Sequence, residues 1–223
     1  WNGIARKSLG CAIAQCGNCM FGCRVGGKQS AATTYLMDAI RSGAQLIAPF
    51  SARKLAQSKG KVTGVDGTYA DPNGPPQALT IVAPRVVLTA GALESPALLM
   101  RSGLKSLHVG QHLFLHPTVA VTGLYSTPID AWKGAPQTIV CDEFSNMAEG
   151  YGYRIEAAPA HPGLLSVGMP WFGAREHRRE MQRVRYDAPF IVLPPASNEG
   201  QVRITPTAQP SFRYTLGKAE KRW

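Results

Sequence analysis

APRVVLTAGALESPALLMRSGL, residues 83–104, is the stretch on which the reading of this chain turns. Val86, Val87 and Leu88 form an apolar run of β type, and Thr89-Ala90-Gly91-Ala92 is a turn of small residues. Ser95-Pro96 then opens an amphipathic helix, with Leu98, Leu99 and Met100 toward its apolar side. Gly91 gives the backbone a conformational freedom that lets it approach something flat or charged. Ser95 is the expected cap and Pro96 the expected first helical residue. A strand that turns tightly into a helix N-terminus is a place where a nucleotide can rest. Most turns of this kind hold nothing, so the neighbouring sequence has to decide.

Upstream, TTYLMDAIRS (33–42) predicts a helix with Leu36, Met37 and Ile40 inward, capped by Thr33 or Thr34 and stopped by Gly43. Short strands are predicted at Gln45–Ala48, at Ala52–Leu55 and Val62–Val65 around a Ser58-Lys59-Gly60 turn, and at Leu79–Val82 and Arg85–Leu88. DPNGPP at 71–76 reads as a loop. Helix, strands and helix together suit an α/β domain. Beyond about residue 105 the character changes, and Val119–Tyr125, Tyr151–Ala157 and Phe190–Pro194 read as strands of a mixed or antiparallel sheet. Residues 174–187, AREHRREMQRVRYD, form a charged helical stretch, and 198–216 read as a hairpin. The expected organisation is a first part, 1–105, and a second, 106–223, with α+β character overall.

The chain has 223 residues, 44% of them hydrophobic and 17% charged, which permits a sizeable core. Its 23 glycines and 17 prolines exceed average usage and predict many turns. The net charge of +10 raises the possibility of an acidic partner, but Lys and Arg are spread along the chain apart from one cluster, Arg175, Arg178, Arg179, Arg183 and Arg185. No nucleic-acid motif accompanies the charge, so nucleic acid is not an expected partner. No apolar run approaches the ~20 residues of a spanning helix, and membrane association stays open as a possibility. The opening WNGIARKSLG is not a signal peptide, it lacks an initiating Met, and the closing KRW is equally bare. Both ends read as those of a piece of something longer.

Cys11, Cys16, Cys19 and Cys23 lie close enough to converge on zinc or an iron–sulfur cluster, to form a disulfide in an oxidising compartment, or to pack as reduced thiols in a Gly-rich loop. Their spacing is not that of paired zinc knuckles, and packed reduced thiols are the leading reading; no metal ligand is assigned. His108, His112 and His116 recur every four residues, but Gly110 and Pro117 argue against a helix that would align them, so they read as capping or buried histidines. There is no G-x-S-x-G, no G-x-G-x-x-G and no phosphate loop.

Three segments taken together carry a resemblance: CGNCMFGCRVGGKQSAATTYLMDA (16–39), APRVVLTAGALESPALLMRSGL (83–104) and VGQHLFLHP (109–117). They resemble the glucose–methanol–choline (GMC) oxidoreductases, and within them the long-chain alcohol oxidase branch. Cys16, Cys19, Cys23, Gly26 and Lys28 match the C-x2-C-x3-C-x2-G-x-K loop of that branch, and Lys105 departs from a frequent glycine. The resemblance covers 11–140 well and continues less distinctly to about 216.

The resemblance implies a partial Rossmann-like FAD-binding domain over 1–105, followed by part of a substrate domain over 106–223. It implies FAD as cofactor, a small-molecule alcohol as substrate and an aldehyde as product, with hydride passing to the flavin and oxygen or another molecule as the final acceptor. Carried over position by position, Thr89, Ala90 and Gly91 line the cofactor through main-chain contact, and Ala52 offers its main chain to the adenine edge. Ser95 is a weaker candidate for the same neighbourhood. The family's glycine-rich pyrophosphate turn lies upstream of the Cys-rich loop, and its catalytic histidine lies near the C-terminus. Neither is in this chain, so no catalytic residue is assigned and the chain is expected to be inactive alone. The alternatives from other classes are an iron–sulfur electron-transfer subunit of a flavin dehydrogenase and a basic, non-enzymatic binding module.

Overall fold

The structure is a computed structural model that describes residues 16–23, 26–147, 152–196 and 198–218, and every structural statement below concerns those residues. In chain order the elements begin with α1 (Tyr35–Arg41), β1 (Phe50–Ser58), β2 (Lys61–Tyr69), β3 (Gln77–Val82) and α2 (Gly91–Arg101). They continue with β4 (Val119–Leu124), β5 (Val140–Cys141), β6 (Arg154–Ala157), α3 (Pro162–Gly168), α4 (Ala174–Arg183), β7 (Asp187–Leu193), β8 (Gln201–Ile204) and β9 (Pro210–Arg213). The fold is α+β, with every ladder antiparallel. Two compact units divide it: one is Gly43–Leu115 with the segment from Ala196 onward, the other is the chain up to Ser42 with His116–Pro195.

In the first unit, β1, β2 and β3 form a meander in that order. Lys59 and Gly60 join β1 to β2 with φ of 48° and 74°, the positive pair that a two-residue hairpin turn needs to follow the strands' twist. β2 carries glycines where a side chain would collide: a Cβ on Gly64 would meet the Ile81 carbonyl, and one on Gly67 the Phe50 ring. α2 packs on β1 and β8, and Leu55, Ala97, Leu98, Leu113 and Val202 are the unit's buried apolar side chains. Each such burial stabilises by roughly 1.5–3 kcal/mol for a Leu or Val side chain. Ser102, also buried, ties helix to strand: its Oγ accepts the Leu55 N–H at 2.8 Å and donates to the Leu98 carbonyl at 2.6 Å.

In the second unit the sheet order is β4-β7-β6-β5. β7 pairs with β4 from Val119↔Val192 to Leu124↔Asp187, and with β6 from Arg154↔Leu193 to Ala157↔Phe190. His161 caps α3, its Nδ1 accepting the Gly163 N–H at 3.1 Å. α4 runs into a short 3-10 turn, Val184–Tyr186, that delivers the chain to β7. The Arg185 carbonyl accepts the N–H groups of Ile129 and Asp130, while its guanidinium meets the Asp130 carboxylate at 3.0 and 3.3 Å.

Several expectations are corrected. Gln45–Ala48 and Arg85–Leu88 are not strands: their apolar patterning suits an extended chain, but a ladder needs a neighbour and none is found among the described residues. α2 starts at Gly91 rather than at Pro96, so Ser95 is no cap and Pro96 lies inside the helix. The first four N–H groups of a helix have no intrahelical acceptor, but Pro96 is the sixth residue of α2 and lies past them, so the helix forfeits one bond there. α1 lies where predicted, yet Leu36, Met37 and Ile40 are 37–41% exposed, because nothing among the described residues covers that face. Thr34 stands at its N-cap position with no capping bond, its hydroxyl donating to the Ser30 carbonyl instead. β5 and α3 were not foreseen. No helix among the described residues is long and apolar enough to cross a membrane.

Candidate functional site

The first unit carries a cleft of about 520 Å3 bounded by the beginning of β1, the beginning of α2 and the Thr205–Gln209 turn. β1 is an outer strand, so one of its edges is free of any ladder. Its register shifts between Ala52 and Lys54, leaving Arg53 as a bulge whose Nε donates to Thr68 Oγ1 at 2.9 Å. Arg101, near the end of α2, holds the cleft's three walls together. Its guanidinium donates to the Arg53 carbonyl at 3.2 Å, to the Ala208 carbonyl at 3.2 Å and to Glu94 Oε2 at 3.1 Å. Ala208 takes φ 61° in that turn, and Thr205 Oγ1 and the Gln209 N–H close it at 3.1 Å.

Two of the five sequence-derived positions meet here: Ala52 on β1 and Ala90 at the mouth of α2 line the same cleft, their small side chains leaving main chain accessible. Gly91 has φ 83°, and a Cβ built on it would meet nothing within 4 Å. Its requirement for glycine is therefore conformational, and the space beside it is open. Thr89, one residue before Ala90, is exposed. Ser95 faces elsewhere, into a second hollow of about 550 Å3 with His108 and His112. There the two imidazoles stack at 5.8 Å and His112 Nδ1 lies 2.8 Å from Glu199 Oε2. Residues 105–118 contain no helix, as Gly110 and Pro117 led one to expect.

Arg101 and the Thr205–Gln209 turn are contributors that sequence reasoning missed. Arg101 is separated from Ala208 by 107 residues, and its only local signal is that of a cation in a helix's last turn. Among the cysteines, Cys11 lies outside the described residues. Cys16 and Cys19 carry free thiols, and Cys23 Sγ accepts the Gly27 N–H at 3.1 Å. Among the described residues no three His, Cys, Asp or Glu side chains are grouped to hold a metal ion.

The donor set of the cleft fits part of a dinucleotide. It offers a free strand edge with small side chains, an open glycine turn at a helix N-terminus, and the polar groups Ser51, Arg53, Glu94 and Gln209.

Residues 1–118 match the family model described as GMC oxidoreductase. An uncharacterized GMC-type oxidoreductase of Mycobacterium tuberculosis is 31% identical over 218 residues, 97% of this chain and 33% of that protein. The long-chain-alcohol oxidase FAO4A of Arabidopsis thaliana is 31% identical over 198 residues, 80% of this chain and 26% of that protein. A pyridoxine 4-oxidase structure from Mesorbium loti shares the fold with a TM-score of 0.52 at 18% identity, over 83% of this chain and 38% of that one. The chain thus spans a third or less of the length of these curated relatives.

Proposed function

The chain belongs to the GMC oxidoreductase family, and from that premise we propose that it supplies one wall of an FAD site and part of the substrate region in an enzyme that oxidises an alcohol, a long-chain primary one, to an aldehyde. The cofactor part is the unit that holds the cleft, Gly43–Leu115 with the segment from Ala196 onward, rather than 1–105, and the substrate part is the other unit rather than 106–223. The observation that carries this reading is the meeting of Ala52 and Ala90 in one cleft beside the open turn at Gly91. The bound flavin would supply the hydride acceptor, which no amino-acid side chain can. This chain's residues bind and orient: the main chain at Ala52 and at Thr89-Ala90-Gly91 offers hydrogen-bonding groups, and Arg101 fixes the distance between the two walls. The alcohol branch rests on likeness to the Arabidopsis oxidases, whose names state long-chain alcohols.

No side chain here is assigned to proton transfer, so the 223-residue chain alone is expected to be inactive. FAD titration followed by flavin fluorescence, together with alcohol-dependent peroxide production, tests both halves. Weak, saturable FAD binding without turnover is expected. Robust turnover by the chain alone would overturn the assignment of its role.

A further inference from the structure

The second unit contains a cavity of about 270 Å3 that the flavin reading does not use. α4 contributes Glu176, His177, Glu180 and Arg183 to its wall, and Asp187 enters from the first residue of β7. Leu124, Met169 and Phe172 supply an apolar side. The Trp171 ring lies 5.1 Å from the His177 ring.

The charges do not cancel. Glu180 is already engaged by Arg183 at 3.5 Å and by Arg179 at 3.4 Å. Asp187 is only 5% exposed, and its carboxylate makes no hydrogen bond among the described residues, Arg183 on the same wall acting on it only through its charge; the Nδ1 of His177 is buried and unpartnered. A buried carboxylate without donors is costly, and proteins rarely leave one so. Burial pushes the Asp187 carboxyl up from its ordinary value, against the pull of the Arg183 charge.

We infer that this cavity binds a small primary amine: a compact ammonium against Asp187 and Glu176, with an apolar body against Leu124, Met169 and Phe172. An ammonium brings three donors, which can serve the carboxylates of Asp187 and Glu176 together. A nearby aromatic face adds attraction for a cation. An anion would face the carboxylates of Glu176, Glu180 and Asp187 with Arg183 as the wall's one guanidinium. A neutral apolar molecule would leave Asp187 as unsatisfied as before. A bare metal ion lacks a set of three ligands among the described residues.

The test is calorimetric titration of the full 223-residue chain with benzylamine at neutral pH, alongside benzamide, which has nearly the same size and no charge. The expected result is saturable one-to-one binding with a Kd on the order of 1 mM for a ligand of about eight heavy atoms. Benzamide should bind at least roughly tenfold more weakly, and Asp187→Asn should weaken benzylamine by a similar factor. Glu176→Gln, at a half-buried position in the first turn of α4, should weaken it severalfold. Absence of saturable benzylamine binding, equal binding of benzamide, or unchanged affinity in both variants would each overturn the proposal. FAD binding in the first unit is measured separately, so neither result decides the other.

Discussion

Replacing Ser102 by Ala removes one oxygen atom from the joint between α2 and β1, the two elements that bring Ala90 and Ala52 into one cleft. In the parent chain Ser102 is 4% exposed, and its Oγ takes the Leu55 N–H at 2.8 Å. Without the hydroxyl that N–H is stranded in a buried place, because it points away from the β2 ladder, and a stranded buried donor costs about 1–3 kcal/mol. The other lost bond, Oγ–H to the Leu98 carbonyl, matters less, since that carbonyl still accepts the Ser102 N–H at 3.0 Å. A net loss of about 2 kcal/mol follows, which is roughly thirtyfold in an opening equilibrium. Amide hydrogen exchange reads this directly: protection of the Leu55 N–H should fall roughly thirtyfold, and the urea midpoint should drop without a change in slope. Ser106→Ala is the control, because that hydroxyl meets only the exposed His108 N–H at 3.3 Å and should leave both quantities alone. Leu55 protection within about threefold of the parent in Ser102→Ala would refute the claim that this side chain holds helix and strand together.

Asp187→Asn should stabilise the chain at neutral pH. Burial raises the carboxyl's folded-state pKa, so the stability tied to its proton is full below the unfolded value and lost as pH rises through the raised one; thermal melts of parent and variant should converge in acid and diverge toward neutrality. Asp130 behaves oppositely: hydrogen bonds from Arg185 and then Lys133 lower its carboxyl to about 2 from 3.8. The stability it contributes is present above the unfolded value and lost as pH falls toward about 2, and Asp130→Asn, which tolerates the φ of 49°, should flatten the acid limb of a pH–stability curve. Gly91→Ala meets no steric neighbour, so its cost is that of φ 83° alone, about 1–2 kcal/mol, visible as a lower Tm together with weaker FAD binding.

What the sequence disclosed and what it withheld divide along a physical line. The hairpin at Lys59-Gly60 was legible because two positive φ values are a local demand that glycine announces. The charged run at 174–187 was legible as a helix for a similarly local reason, and the VGQHLFLHP segment was rightly denied one by Gly110 and Pro117. Patterns that promise a partner were less safe. Leu36, Met37 and Ile40 state that a helix face wants cover, and Val86-Val87-Leu88 states that an extended chain wants a ladder, but a pattern cannot say whether the covering element lies among the described residues. Positions that matter only through distance in the chain gave no signal. Arg101 reads as an ordinary C-terminal cation until the fold sets the Ala208 carbonyl before it. Asp187 reads as the last charge of a basic helix. The register Leu124↔Asp187 instead makes it the first residue of an inner strand, facing the same cavity as Glu176 and His177. A carboxylate's meaning thus depends on a single register: moved one residue along the strand it would turn to the other face, and the cavity would lose the group that gives it a preference for a cation.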